Sequence, residues 1–346
     1  MLKTEVVSIN SPEENPEAIR RAGQLLRDGA LVVFPTETVY GLGGNATDSD
    51  AAKKIYAAKG RPSDNPLIIH VARPEDAERY AVTSETYYRL AKAFMPGPLT
   101  VILPKKDTVP PSVTGGLDSV AVRCPSHPVA RAIIDASGVA IAAPSANLSG
   151  KPSPTSSSHV IADLSGRVDM IVDGGDCEIG LESTIVSLNG DKATLLRPGA
   201  ITADALRCVC ESVEIFHAVE EKLAENERPL SPGMKYRHYA PDAPLVLLSG
   251  DDERVLSFLQ EEQKADGCVI LCYDEEIPYL QPDGLLPVGP KNDLGMQAHM
   301  LFSRLRESDS LGARVVYAHL PPKNGLGLAL YNRMIRAAAH TVKELG

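Results

Sequence analysis

The chain has 346 residues, a formal net charge of -10, 43% hydrophobic and 23% charged residues. That length points to two domains with room for packed cores, and these fractions exclude wholesale disorder. The acidic balance argues against a nucleic-acid coat, which needs Lys and Arg on phosphates, and the absence of Trp with 5% aromatics argues against base stacking as the main device.

The first seventeen residues contain no apolar stretch of signal-peptide type, and no run approaches the ~20 apolar residues of a membrane span. We read a cytoplasmic protein without membrane contact. Pro16 opens a helical pattern with Ala18, Ile19, Ala22, Leu25 and Leu26 on one stripe, closed near Gly29. Residues 30–34 then read as a buried strand. Asp48, Ser49 and Asp50 cap a helix that runs to Lys59 and stops at Gly60. Further strands are expected at 67–71, 99–103, 120–124, 139–143, 170–172, 183–188 and 193–196, with a helix at 128–137 ended by Gly138. So many strands predict a large, mixed, twisted sheet with helices packed on it.

After residue 211 the texture changes. Residues 211–227 are acidic and read as helical in part. Residues 228–241 carry no acid, three Pro and three formal positive charges, which marks a linker of unusual charge. Strands at 245–248, 268–273 and 313–320 then alternate with helical stretches at 251–264, 293–307 and 326–343, a smaller α/β domain of Rossmann-like order. The domains are therefore expected at 1–210 and 243–346, joined by a linker at 211–242. Six cysteines show no CxxC spacing. Cys268 and Cys272 would lie ~13 Å apart on an extended strand, too far for a disulfide. They read as small core residues in a reducing compartment.

Three clusters could carry chemistry. The first, Phe34-Pro-Thr-Glu-Thr-Val-Tyr-Gly-Leu-Gly-Gly44, follows a strand, where α/β sheets place ligands. Gly41, Gly43 and Ala46 match a dinucleotide G-x-G-x-x-A weakly, because no acid ends a second strand ~20 residues on; an ordinary Gly-rich turn is the competing reading. In the second, Lys59 and Arg61 flank Gly60, so two cations meet an open backbone suited to phosphate, although helix ends favour cations anyway. No G-x-x-x-x-G-K-[ST] is present, so a P-loop is excluded. In the third, Ser145 and Asn147 follow a strand. Ser145 lacks the G-x-S-x-G elbow, which leaves phosphate or ribose binding, or simple turn roles. Arg123 and His70 sit among core residues; the Arg needs a carboxylate partner, and such a His is commonly a satisfied core residue.

Taken together, Phe-Pro-Thr-Glu-Thr-Val-Tyr-Gly-Leu, Lys-x-Arg at 59–61, Pro-Gly-Pro-Leu-Thr100, Val-Arg-Cys-Pro125, Ser-x-Asn at 145–147, Glu-Ser-Thr-Ile-Val and Leu-Arg-Pro-Gly199 resemble the YrdC-like family. The linker motif at 231–241 and the C-terminal domain resemble the family's two-domain members. The resemblance spans essentially the whole chain. It implies a YrdC-like N-terminal sheet and an enzyme that makes L-threonylcarbamoyladenylate and pyrophosphate from L-threonine, bicarbonate or CO2, and ATP. The product would pass to the machinery that modifies tRNA, with at most weak direct tRNA binding. By the same resemblance Lys59, Arg61, Ser145 and Asn147 would act at the ATP phosphates, and Thr36, His70, Arg123 and Ser183 would hold threonine. Ser63, Ser153, Arg197, Tyr236 and Tyr239 would make further ATP contacts, Mg²⁺ would arrive with ATP, and the linker would close over the nucleotide. A double-stranded-RNA module and a non-catalytic nucleotide or amino-acid sensor remain alternatives.

Overall fold

The structure is a computed structural model that describes residues 2–221 and 238–346. Of these, residues 2–149, 154–178 and 182–221 form one compact unit, and residues 150–153, 179–181 and 238–346 form a second.

The first unit is built on β1 (Glu5–Ser8), β2 (Val32–Phe34), β3 (Gly41–Asn45), β4 (Ile68–His70), β5 (Leu99–Pro104), β6 (Ser119–Arg123), β7 (Ile141–Ala142), β8 (Met170–Asp173), β9 (Thr184–Asn189), β10 (Lys192–Arg197) and β11 (Ser212–Ile215). They form one mixed sheet in the order β1-β8-β2-β3-β7-β4-β6-β5-β9-β10-β11. Its helices are α1 (Pro16–Arg27), α2 (Ser49–Lys59), α3 (Glu85–Phe94), α4 (Pro111–Thr114), α5 (Pro128–Ser137), α6 (Ser157–Leu164) and α7 (Ala203–Arg207).

Local chemistry explains the best-signalled elements. Asn15 caps α1 by accepting from the Ala18 amide at 3.0 Å, and Pro16 supplies a first-turn residue that needs no donor. Asp48 caps α2, and Gly60 ends it in the left-handed region at φ 62°. The apolar stripe of α1 packs with Val129, Ile133 and Ile134 of α5 over Val32, Phe34, Met170 and Val172. Each large aliphatic side chain buried there contributes roughly 1.5–3 kcal/mol.

Three expectations change. The glycines at 41–44 are not a loop. They form β3, paired antiparallel to β2 and β7. A Cβ on Gly43 would stand 2.7 Å from the Phe34 ring and 2.8 Å from Ile141, so glycine here permits close strand packing. Within 211–221 the acidic stretch opens as the edge strand β11, and its helical part is a 3-10 helix at His217–Val219, while residues 222–227 lie outside the described residues. At the C-terminus the helix expected at 326–343 stops at Ala337, and Val342–Glu344 returns as a strand.

The second unit contains β12 (Leu245–Ser249), β13 (Cys268–Cys272), β14 (Leu285–Pro287), β15 (Val315–His319) and β16 (Val342–Glu344), with α8 (Asp252–Glu262), α9 (Leu294–Ser310) and α10 (Gly327–Ala337). All its pairings are parallel, in the order β14-β13-β15-β12-β16. Cys268 and Cys272 are buried along β13, and among the cysteines only Cys208 is exposed. Among the described residues, no helix is long and apolar enough to cross a membrane.

The α1–α5 contact gives a test in which two effects oppose. In an open helix, Gly→Ala would add about 1 kcal/mol of stability. At Gly23 the new Cβ would meet the Ala136 carbonyl carbon at 2.7 Å and the Ser137 amide nitrogen at 2.8 Å. Gly23→Ala should therefore destabilise by about 1–3 kcal/mol in urea unfolding, as overpacked contacts do. A stabilised variant would contradict the close packing.

Candidate active site

The turn after β2 is organised by one hydroxyl. Thr36 Oγ1 donates to the Val39 carbonyl at 2.6 Å and accepts from the Thr38 and Val39 amides. This local loop satisfies its own backbone and sends Glu37 inward. Glu37 Oε1 accepts from Arg123 Nη2 at 2.7 Å, and both side chains are about 95% buried (exposures of 4% and 5%). Glu37 Oε2 and Arg123 Nε are buried without a hydrogen-bond partner. The pair is thus half satisfied, with one acceptor and one donor still available.

Arg123 is the middle of a polar row across three neighbouring strands. His70 of β4 lies beside it on one side and Thr100 of β5 on the other. Neighbouring strands sit about 4.8 Å apart, so the three side chains share one face. His70 is buried, its Nδ1 is 3.3 Å from the Ile141 carbonyl oxygen, and its ring meets Phe34 edge-on. Burial first, and then the charge of Arg123, push the imidazole down to about 3. It is a neutral ring at neutral pH. Thr100 Oγ1 lies 2.8 Å from Ser183 Oγ, which also accepts from Arg197 Nη2 at 3.0 Å. Arg197 Nε donates to the Ser183 carbonyl, so Ser183 is held by side chain and backbone together.

The second node forms where α2 ends. The Lys59 ammonium, 3% exposed, donates to the Ser145 carbonyl at 2.5 Å, the Asn147 carbonyl at 2.5 Å and Asn147 Oδ1 at 3.2 Å. Ser145 Oγ donates to Asn147 Oδ1 at 2.6 Å. Arg61 Nη2 donates to the Asn65 and Pro66 carbonyls, while a Cβ on Gly60 would meet nothing within 4 Å. Backbone links join this node to the turn: Gly41 bridges Ser145, and the Ala146 amide donates to the Tyr40 carbonyl.

The first unit therefore brings together Thr36, Lys59, Arg61, His70, Arg123, Ser145, Asn147, Ser183 and Arg197. Ser63 is exposed in the turn just after α2. Ser153 is fully buried and belongs to the second unit. Tyr239 is also in that unit, in the left-handed region at φ 65°, with its ring stacked on Phe302 at 5.2 Å and Arg333 over it at 5.9 Å. Tyr236, like Lys235 and Arg237, lies outside the described residues. Sequence reasoning gave no role to Glu37 or Thr100, although both stand in the motifs. The signal for Glu37 was available, because it is the only acid between Phe34 and Gly44. Cys177, buried beside Thr36, has its thiol pushed up to about 12, chiefly by burial, and stays protonated.

Buried cations, hydroxyls and amides thus lie near strand ends of an α/β sheet, the usual position of a ligand in such folds. Two family models cover the chain: one described as Telomere recombination (Sua5_yciO_yrdC) matches residues 24–199, and Threonylcarbamoyl-AMP synthase, C-terminal domain, matches residues 201–339. The Threonylcarbamoyl-AMP synthase of Bacillus subtilis is 46% identical over 342 residues, covering 98% of this chain and 96% of that protein. The protein of that name from Pyrococcus abyssi is 43% identical, covering 94% and 95%. The crystal structure of P. abyssi Sua5 complexed with L-threonine superposes with a TM-score of 0.89 at 41% identity, over 99% of each chain. The chain belongs to the Sua5/YciO/YrdC family, in its two-domain form.

Two measurements check this geometry. Glu37→Ala leaves a buried guanidinium uncompensated and should cost about 3–5 kcal/mol, whereas Glu37→Leu with Arg123→Met should recover most of that loss. A single variant as stable as the double would disprove the pairing. For His70, the native value of about 3 lies below the ordinary 6.5, so between those values the unfolded chain binds the extra proton. Stability should fall as pH drops through that window, by up to about 1.4 kcal/mol per pH unit from this residue. Melting at pH 7 and pH 5 should show a smaller acid loss in His70→Gln than in the parent chain.

Proposed function

We propose that this chain is a nucleotidyltransferase that makes L-threonylcarbamoyladenylate from L-threonine, bicarbonate or CO2, and ATP, releasing pyrophosphate. The observation that carries this reading is the Lys59–Ser145–Asn147 node joined by backbone to the Glu37–Arg123 turn. Together they offer cations and oriented dipoles, as adenylyl transfer requires. The relative bound to L-threonine supports an amino-acid subsite.

The chemistry asks for positioning more than for a protein nucleophile. The threonine amine adds to CO2 and loses a proton to give a carbamate. A carbamate oxygen then bonds to the α-phosphorus of ATP while the bond to the pyrophosphate oxygen breaks. Lys59, Arg61, Ser145 and Asn147 are assigned to the phosphates and the charge that builds there, with Ser63, Ser153, Arg197, Tyr236 and Tyr239 as further ATP contacts. Thr36, His70, Arg123 and Ser183 are assigned to threonine. Glu37 already occupies one Nη of Arg123, so the threonine carboxylate would use the remaining donors of the fork. A neutral His70 can serve as hydrogen-bond donor or acceptor without opposing Arg123. Magnesium is proposed to enter on the ATP phosphates, since it keeps waters and takes few protein ligands.

We further place the catalytic domain at 1–210, a linker at 211–242 that closes over the nucleotide, and a C-terminal domain at 243–346. The product would pass in the cytoplasm to the tRNA threonylcarbamoyl-transfer machinery.

Pyrophosphate release that requires threonine and bicarbonate together is the expected result. Binding without pyrophosphate would indicate a sensor, and salt-steep binding of duplex RNA would indicate an RNA module. Lys59→Ala should lower kcat by about 10²–10³, the range for losing a transition-state charge partner. Arg123→Lys keeps the charge but not the planar fork and should raise the threonine KM roughly tenfold or more, the range for a charged hydrogen bond. An unchanged threonine response in Arg123→Lys would refute the assignment.

A further inference from the structure

The second unit carries a crevice that the synthase reading does not use. In its sheet, β12 and β15 are neighbours, yet the chain leaves them in opposite directions. From β12 it crosses through α8 to β13 on one side, and from β15 it crosses through α10 to β16 on the other. Right-handed crossovers put these helices on opposite faces. Packing agrees: Val255 and Leu259 of α8 lie with Ile270 and Tyr317, whereas Leu301 of α9 and Leu330 of α10 line the face of Leu271 and Ala318. The carboxyl ends of two such strands part over a crevice, the usual ligand position in an open parallel sheet. Here the crevice has about 440 Å³, within the range of small-molecule sites.

Its lining is specific in chemistry. Ser249, Gly250 and Asp252 come from the end of β12 and the start of α8, and Leu320 follows β15. Tyr273 and His319, at the ends of β13 and β15, border it with their rings 4.4 Å apart and 24° from parallel. One carboxylate sets both rings. Glu276 Oε2 accepts from the Tyr273 amide, and Oε1 lies 2.8 Å from His319 Nε2. Glu275 accepts from the Lys291 amide at 3.0 Å and fixes the loop that presents Asn292. The charges argue against a polyphosphate. Lys291 is already paired with Asp252, His319 with Glu276, and α8 starts with Asp251 and Asp252, which fill its N-terminus with the protein's own carboxylates.

We propose that this crevice binds a nucleoside, with the base against the Tyr273–His319 pair and the ribose hydroxyls on Asp252, Ser249 and Asn292. The nucleoside could be free or part of an RNA, and both present the same chemistry. The proposal uses none of the residues assigned to the synthase reaction, so its failure would leave the proposed function standing.

The test uses the full chain and azidoadenosine as a photolabel, with labelled peptides mapped by mass spectrometry. Label within 249–252, 291–294 or 319–322 that excess adenosine competes away is the expected result. Label confined to residues 2–221 overturns the proposal. Tyr273→Phe should bind adenosine as the parent chain does, and Tyr273→Ala at least about tenfold more weakly, the scale of one base–aromatic stack. Asp252→Ala, at an exposed position, should weaken adenosine but not dideoxyadenosine. Equal adenosine affinity in Asp252→Ala and the parent overturns the ribose contact. Competition by a short oligoadenylate stronger than by adenosine would assign the ligand to RNA, and equal competition to the free nucleoside.

Discussion

A guanidinium inside a β-sheet has to meet a carboxylate, and in this protein that need ties the site together. Arg123 stands in the middle of the eleven-stranded sheet and is answered by Glu37, a residue from a turn three strands and 86 positions away in the chain. The turn can reach it only because Thr36 closes its own small hydrogen-bonded loop and frees Glu37 to point inward. Desolvating both charges is costly, and the attraction between them offsets that cost only if further hydrogen bonds complete the pair. One buried oxygen and one buried nitrogen remain unused. The surroundings follow from this pair: His70 is kept neutral beside it, and Thr100 and Ser183 carry the polar row on to Arg197.

The Lys59 node solves the same problem in another way. An ammonium group at a helix end is held by two carbonyls and an amide oxygen. Such oxygens orient the cation without carrying a formal charge of their own. The node depends on β3. Glycines let that strand lie against the Phe34 ring, and the strand then carries the 145–147 segment through the Gly41–Ser145 bridge. Packing and site are thus one construction. A side chain at Gly43 would disturb both.

The second unit shows how an orderly fold can hide a site from sequence. Its strands β12, β13 and β15 are signalled along the chain, whereas β14 and β16 are not, and no fingerprint of glycines accompanies them. Tyr273, Lys291 and His319 are 18 and 28 positions apart, in strand ends and a loop that share no motif. What gathers them is the parallel order β14-β13-β15-β12-β16, in which β12 and β15 become neighbours. Strand order depends on long-range pairing and crossover handedness, which a local pattern does not encode.

From its sequence alone, the chain is legible as an acidic, two-domain α/β protein, because the apolar periods, the helix start at Pro16, the cap at Asp48 and the stops at Gly60 and Gly138 are local effects within a few residues. The motif residues Lys59, Arg61, Ser145 and Asn147 stand out as a set only through the family resemblance, since spacing alone left helix-end and turn roles open. Glycines 41–44 misled, since a glycine run signals a turn unless a neighbouring ring demands close approach. At 212–215 the acidic composition gave no strand signal, and pairing with β10 decided it. The partnership of Glu37 with Arg123, the neutrality of His70, the cradle around Lys59 and the crevice between β12 and β15 were decided only in the tertiary structure. Each depends on which distant segments share a desolvated space, and the cost of a buried charge or an open strand end is set there and not along the chain.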